Sequence, residues 1–242
     1  MKKIIGLFAC WLMMAVSYPA FAGYDEAQKA YENGDYISAF KGFLPLAEQG
    51  DVDAQFKLGY MYDFALGMPQ DLEKGEYWYQ KAAENGHIVA MNNLAYSWSQ
   101  RGIKLGEATR LMREVLAVYP DEASYIDTLG WIYYQQQDYE KAFTYICEAA
   151  LKEPGAIEVR EHLGDVYAQF GLFDQAIMEW QQVLDLEQNR QFLSDGASKD
   201  YLQMQNLKIW QQGLQSKIAK AQAGKQQGTA PSKEFSCLKP IS

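Results

Sequence analysis

The sequence predicts an all-α protein built from about five stacked helix-turn-helix repeats and closed by a C-terminal capping helix. Two interleaved residue series predict it. Leu58, Leu94, Leu129 and Leu163 recur at spacings of 36, 35 and 34, each followed by a small residue, Gly59, Ala95, Gly130 or Gly164. Three positions further on stands an aromatic: Tyr62, Trp98, Tyr133 or Tyr167. The second series is Ala39, Gly75, Ala108, Ala142 and Ala176, at spacings of 36, 33, 34 and 34. Four positions after these come Phe43, Tyr79, Met112, Ile146 and Trp180, and seven after them Leu46, Ala82, Val115, Ala149 and Val183. Offsets of three, four and seven fall on one helical face, so each unit reads as two amphipathic helices. Small residues let two helix backbones approach, and the large residue fills the gap beside them. One hairpin cannot bury its own apolar face, so stacked hairpins share a core.

The elements follow in order. Lys2 and Lys3, the apolar run from Ile4 to Val16, and Ala20-Phe21-Ala22 make residues 1–22 a secretory signal peptide cleaved before Gly23. Its apolar run is too short to span a bilayer well, and no later stretch is apolar enough to do so. Lipoprotein processing at Cys10 is disfavoured, because it would leave the apolar stub Trp11 to Val16 at the new terminus. A lysine start with an A-x-A end points to a bacterial periplasm. Residues 23–122 hold hairpins one to three, and residues 123–190 hold hairpins four and five. Gly34-Asp35, Gly86-His87, Gln137-Asp138 and Gly171 mark turns, and Pro120 and Pro154 follow second helices. Pro45 falls inside the second helix of the first unit and should kink or shorten it.

Residues 191–223 comprise a loop and the capping helix. Asn189 to Ser198 reads as the loop, with Gly196 in it. Lys199 to about Ala223 reads as the helix, with an apolar stripe of Leu207, Trp210, Leu214, Ile218 and Ala221. The stripe suits a cap on the last open repeat face. Its lysines leave peripheral membrane or partner contact as the alternative. Residues 224–242, rich in Gly, Gln, Ser, Lys and Pro, read as a mobile tail.

Composition is that of a globular chain, with 48% apolar and 22% charged residues. The net charge of -9 argues against a duplex nucleic-acid partner, which calls for a basic face. That charge is an average. Residues 23–195 carry 13 basic and 29 acidic residues, or -16, whereas residues 196–242 carry seven lysines against Asp200 and Glu234, or +5.

The same residues carry a family resemblance. Residues 123–154, with Leu129-Gly130, Tyr133, Ala142, Ala149 and Pro154, resemble a tetratricopeptide repeat. Residues 157–188 are similar, with Leu163-Gly164, Tyr167, Ala176 and Trp180. Residues 47–90 resemble the related Sel-one-like repeat through Ala54, Leu58-Gly59, Tyr62, Gly67, Asp71, Trp78-Tyr79, Lys81-Ala82-Ala83 and Gly86. The resemblance implies a right-handed superhelical solenoid that acts as a binding scaffold rather than an enzyme. It also implies a concave groove lined by the outward side of the first helices. That nominates Phe56, Tyr60 and Asp63 in the second unit and Asn92 and Tyr96 in the third. It nominates Asp127, Trp131 and Tyr134 in the fourth, and Glu161 and Asp165 in the fifth. Such aromatics and acids suit a protein or peptide client with basic and apolar groups. The competing reading packs the aromatics between adjacent repeats. The lysine-rich end, opposite in sign to the body, is a candidate occupant of the groove itself. Lys57 and Asn92-Asn93 are isolated pieces of the pattern that clamps a terminal carboxylate, so that ligand is not carried over.

Cys147 and Cys237 remain after the leader, an even pair suited to an oxidising compartment. A disulfide between them would staple the tail to the repeats; the alternative is a buried thiol at Cys147 and a free or intermolecular one at Cys237. His87 and His162 read as surface or packing residues. No zinc, calcium-loop, phosphate-loop or nucleophile-elbow pattern appears, so no catalytic residue, metal or cofactor is expected. The sequence leaves the oligomeric state open. The function it favours is a non-enzymatic periplasmic scaffold for envelope assembly or secretion. The alternative is an immunity or inhibitor protein that sequesters a toxic secreted enzyme. A cell-wall-acting enzyme is disfavoured.

Overall fold

The computed structural model describes residues 20–193, 201–226 and 237. Among them are eleven helices and no strand: α1 (Ala20–Glu32), α2 (Tyr36–Glu48), α3 (Val52–Asp63), α4 (Leu72–Glu84), α5 (Ile88–Gln100), α6 (Leu105–Val118), α7 (Ala123–Gln135), α8 (Tyr139–Lys152), α9 (Ile157–Gln169), α10 (Phe173–Leu193) and α11 (Tyr201–Gln226). The all-α, helical-hairpin class is therefore as the periodicity predicts. Residues 1–19, most of the expected leader, lie outside the described residues, and α1 begins at Ala20.

Local chemistry sets the helix ends. Asp35, Asp51, Asp71 and Asp138 each accept a hydrogen bond from the backbone N–H three residues on, at 2.8–3.3 Å. His87 does the same through Nδ1, accepting from the N–H of Ala90 at 3.1 Å. Each removes one of the orphan donors of a helix start. Gly34, Gly86 and Gly171 take φ of 78°, 82° and 73° in the turns before these helices or before α10, where a Cβ is disfavoured. Gln137 takes the same left-handed region at 64° without that freedom.

Two expectations are refined. Of the kink or shortening expected at Pro45, shortening does not occur, since α2 continues to Glu48. Pro45 falls in the last turn, where its missing N–H costs the exposed side of the helix a single bond. The loop expected from Asn189 starts later, because α10 runs on to Leu193; residues 194–200 lie outside the described residues.

The chain divides into two compact units, Met1–Lys81 and Ala82–Ser242. In the first, α1 and α2 form a hairpin against which α3 packs. Its core gathers Ala27, Ala39, Phe43, Leu46, Leu58 and Met61. Gly59 lies so close to the Tyr79 ring that a Cβ there would fall 2.5 Å from Cδ1. In the second unit the hairpins are α5–α6, α7–α8 and α9–α10. Here the same pairing recurs: a Cβ on Gly130 would sit 2.6 Å from Ile146, and one on Gly164 2.5 Å from Trp180. The two sequence series are thus the two sides of one contact, with the small residue of a first helix against the large residue of its second. Met112, Ile146, Val115, Ala149 and Val183 are fully buried.

The first helices of the second unit lie side by side, with α7 against both α5 and α9, while α11 packs on α10. Leu214 and Ala221 of the predicted stripe are buried, with Trp210 and Ile218 partly so. Cys147 on α8 is bonded to Cys237, whose N–H also donates to the Tyr167 hydroxyl of α9 at 3.1 Å. Cys237 is buried and anchored, which corrects the picture of a wholly mobile tail at that residue. Residues 227–236 and 238–242 lie outside the described residues.

Candidate functional site

In the first unit the nominated residues sit on one side of α3. Phe56 and Tyr60 are half-buried, their rings 6.3 Å apart, and Tyr60 lies 4.4 Å from the exposed ring of Phe64. Phe56 also approaches Tyr79 at 6.1 Å. Burial, and then the charge of Asp63, raises the Tyr60 phenol above its ordinary value. The result is a short aromatic ribbon beside an acid.

The second unit holds more chemistry. Asn92 and Tyr96 come from α5, Asp127, Trp131 and Tyr134 from α7, and Glu161 and Asp165 from α9. The side-by-side packing of those three helices brings them onto one surface. Asn92, Tyr96 and Asp127 line a cavity of about 590 Å³, whose exposed lining residues include Glu153 and Glu158. Tyr96 accepts a 2.6 Å hydrogen bond from Gln100. Burial, opposed by that bond and reinforced by Asp127, Glu158 and Glu161, pushes its phenol up to about 12.

Two nominated residues are not exposed. Trp131 is 7% and Asp127 5% accessible. The Trp131 indole is stacked between His162, at 4.0 Å, and Tyr134, at 4.5 Å. The first helix of the neighbouring repeat covers the Trp131 position. Asp127 faces the same helix, its Oδ2 lying 2.8 Å from His162 Nδ1.

Glu161 and Asp165 already have a ligand from the chain itself. The Lys217 ammonium on α11 donates to Glu161 Oε1 and Asp165 Oδ1, both at 2.8 Å. Trp210 Nε1 donates to Glu161 Oε2 at 2.7 Å, and Trp180 Nε1 to Asp165 Oδ1 at 3.0 Å. Burial raises the Asp165 carboxyl above its usual range despite the lysine. Burial opposes the Lys217 charge, yet the two carboxylates hold its pKa above the usual value. A smaller cavity of about 300 Å³, lined by Tyr134, Asp165, Trp180 and Lys217 among others, remains along this seam. The basic end of the chain does meet its acidic body through α11, by Lys217 and also by Lys225, which lies within the expected tail and pairs with Asp174.

Sequence reasoning missed His162, Lys217 and Trp210. His162 and Asp127 stand 35 residues apart, one repeat length, and that opposition of charge is the signal that pairs them. Lys217 lies beyond the repeats and has no periodic counterpart. Among the described residues, no group of three or more His, Cys, Asp or Glu is placed to hold a metal ion. Among them too, no helix is long and apolar enough to cross a membrane.

Comparison with known proteins agrees with this architecture. The model of the Sel1 repeat matches residues 52–87 and 129–153. A TPR repeat-containing protein of Pseudomonas aeruginosa is 33% identical over 84 residues, 35% of this chain and 14% of that protein. The chitin synthase regulator SKT5 of Saccharomyces cerevisiae is 40% identical over 68 residues, 28% of this chain and 10% of that protein. The chain thus spans about a seventh of the length of these relatives, or less. Among solved structures, MamA of Desulfovibrio magneticus superposes with a TM-score of 0.56 at 18% identity, covering 70% of this chain and 96% of that one. A protective antigen of uropathogenic Escherichia coli with an SLR fold gives 0.52 at 24% identity, covering 90% of this chain and 50% of that one. Both likenesses are of fold. The chain is thus similar to Sel1 repeats over those two stretches and shares the fold of helical-repeat proteins.

Proposed function

We propose that this chain is a non-enzymatic scaffold that captures a basic, partly apolar protein segment on the first-helix faces of its hairpins. The observation that carries the reading is the capture of Lys217. Glu161 and Asp165, two positions nominated as groove residues, converge on one ammonium at 2.8 Å, with the Trp180 ring 5.8 Å from it. A lysine on an amphipathic helix is therefore a ligand that this surface chemistry accepts. Acidic side chains in a half-buried setting hold a cation far better than exposed ones do. The charge of -16 over residues 23–195 would also speed encounter with a basic client.

The compartment we propose is the bacterial periplasm, with a role in envelope assembly or secretion. Lys2-Lys3, the apolar run and Ala20-Phe21-Ala22 support export, and the Cys147–Cys237 bond suits an oxidising compartment. Cell fractionation with N-terminal sequencing should find the protein in the periplasm beginning at Gly23. Retention in the cytoplasm with Met1 intact would refute this part.

Binding is tested with a photo-crosslinking residue at Ser124, which lines the larger cavity. Irradiation of living cells should give one dominant adduct, identified by mass spectrometry and lost in Glu158→Lys. No adduct above background, or an adduct indifferent to that charge reversal, would refute capture by this face.

A further inference from the structure

Glu161 and Asp165 are satisfied, but the neighbouring cavity is not. Asp127 is nine-tenths buried or more, and only its Oδ2 has a partner, His162. Its Oδ1 has no hydrogen-bond partner among the described residues. The same holds for Oδ1 of Asn92, whose Nδ2 donates instead to Asn93 at 3.4 Å. Both residues line the 590 Å³ cavity, which falls within the usual range of ligand clefts. A buried acceptor left without a donor costs stability, the more so when it is charged. The two orphan oxygens come from different helices, α5 and α7, so no single helix start or turn accounts for them.

The surroundings define what would satisfy them. Tyr96, Ile157 and Val159 give the cavity apolar walls, while Glu153 and Glu158 are exposed among its lining residues. A donor is needed in the depth, an aliphatic stem along the walls, and positive charge near the two glutamates. An anion meets acids at the mouth and acceptors inside. A wholly apolar group leaves both oxygens unsatisfied. On these grounds we propose that the cavity is an anchor site for a lysine or arginine side chain of the client segment, its ammonium or guanidinium donating to Asp127 Oδ1 and Asn92 Oδ1 once these two oxygens, buried beneath the cavity wall, turn to face it. This deepens the scaffold reading and rests on it. Lys217 on the adjoining acidic face shows the same recognition made within the chain.

The test uses the full oxidised protein and blocked single residues as probes. Nα-acetyl-lysine methylamide and its arginine counterpart are titrated while the Asn92 side-chain amide and the backbone amides of α5 and α7 are followed by NMR. Both probes should shift these signals saturably. The uncharged norleucine probe should bind at least about tenfold more weakly, the loss of one charge-assisted contact. Asn92→Leu removes one acceptor without touching the Asp127–His162 pair, and should weaken the basic probes about tenfold with a melting temperature unchanged or raised. Equal response to norleucine, or no response to any probe, would overturn the assignment. So would a response that emerges only after Lys233→Gln and Lys239→Gln, since the chain's own tail would then be the occupant. Failure of the two readings is separable. A client still crosslinked normally in Asn92→Leu defeats the anchor and leaves the scaffold, whereas probe binding without any crosslinked client defeats the scaffold alone.

Discussion

His162 Nδ1 lies 2.8 Å from Asp127 Oδ2, and both side chains are buried where α7 meets α9. Burial opposes charge on the imidazole. Asp127, through its charge and hydrogen bond, overrides burial with help from Asp165 and Glu161, so the His162 pKa is raised above its ordinary 6.5. The groups that face it are Asp127 on α7, Glu161 and Asp165 on α9, and the Tyr96 phenol on α5, with Lys217 of α11 beyond Asp165. A raised folded pKa contributes stability that is fully present below the unfolded value and lost as pH rises through the folded one. The advantage of the native protein over His162→Gln in urea unfolding should therefore be greatest below pH 6.5 and shrink above it. In the low-pH window Asp127→Asn should cost about 3–5 kcal/mol, because it strands a buried cation. A pH-independent difference between native protein and His162→Gln would show that His162 folds as a neutral packing residue.

The Gly164–Trp180 contact predicts the cost of filling a repeat's small position. A Cβ on residue 164 would lie 2.5 Å from the indole Nε1, which itself donates to Asp165 and to the Glu161 carbonyl. The indole cannot withdraw without giving up those bonds. Gly164→Ala should destabilise by about 1–3 kcal/mol through overpacking, despite alanine's better helix propensity. Gly213→Ala is the control, since a Cβ there meets nothing within 4 Å and should be neutral or slightly stabilising. Thermal melts of the two variants distinguish the outcomes, and equal behaviour would mean that α9 and α10 shift apart freely.

The same contact explains what could be read in the sequence. Leu58, Leu94, Leu129 and Leu163 and the small residues after them recur because each hairpin repeats one packing problem. Their burial follows from helical periodicity alone. The position after the small residue is different. At Trp131 it is covered by the next first helix, whereas at Tyr60 it stays partly open. Which of the two occurs depends on how neighbouring hairpins rotate, and a repeat period carries no such information. The Lys217 site was still less accessible. Its carboxylates lie 52 and 56 residues away on α9, and the helix that delivers the lysine belongs to no repeat. Opposite net charges foretold attraction between the two ends but not the residues that meet.

The Cys147–Cys237 bond closes 90 residues, including α9, α10 and α11. On the loop-entropy model, opening so long a loop costs about 4–5 kcal/mol. Cys147→Ser with Cys237→Ser should thus lower the urea midpoint strongly, while reduction should release the Cys237 N–H from Tyr167. Hydrogen exchange at residue 237 and at the end of α9 reads the second effect. Loss confined to residue 237, with no change of midpoint, would mean that the bond tethers the tail without stabilising the repeats.

Trp131 decides between packing and recognition at its position. Its indole is 7% accessible and stacked on both faces, with interplanar angles of 13° to His162 and 7° to Tyr134. Truncation removes both stacking contacts and opens a cavity beside a charged pair. Trp131→Ala should therefore cost about 3–5 kcal/mol. Trp131→Phe keeps a stacked ring and also removes the indole N–H, which is buried without a partner among the described residues. That relief offsets part of the lost volume, so the phenylalanine variant should lose only about 1–2 kcal/mol. Denaturant unfolding gives both values, and crosslinking from Ser124 gives client binding. A residue that serves packing predicts binding retained in Trp131→Phe. Full stability with binding abolished in that variant would instead make the buried N–H a donor to the client, reached by a local opening of α7 from α9.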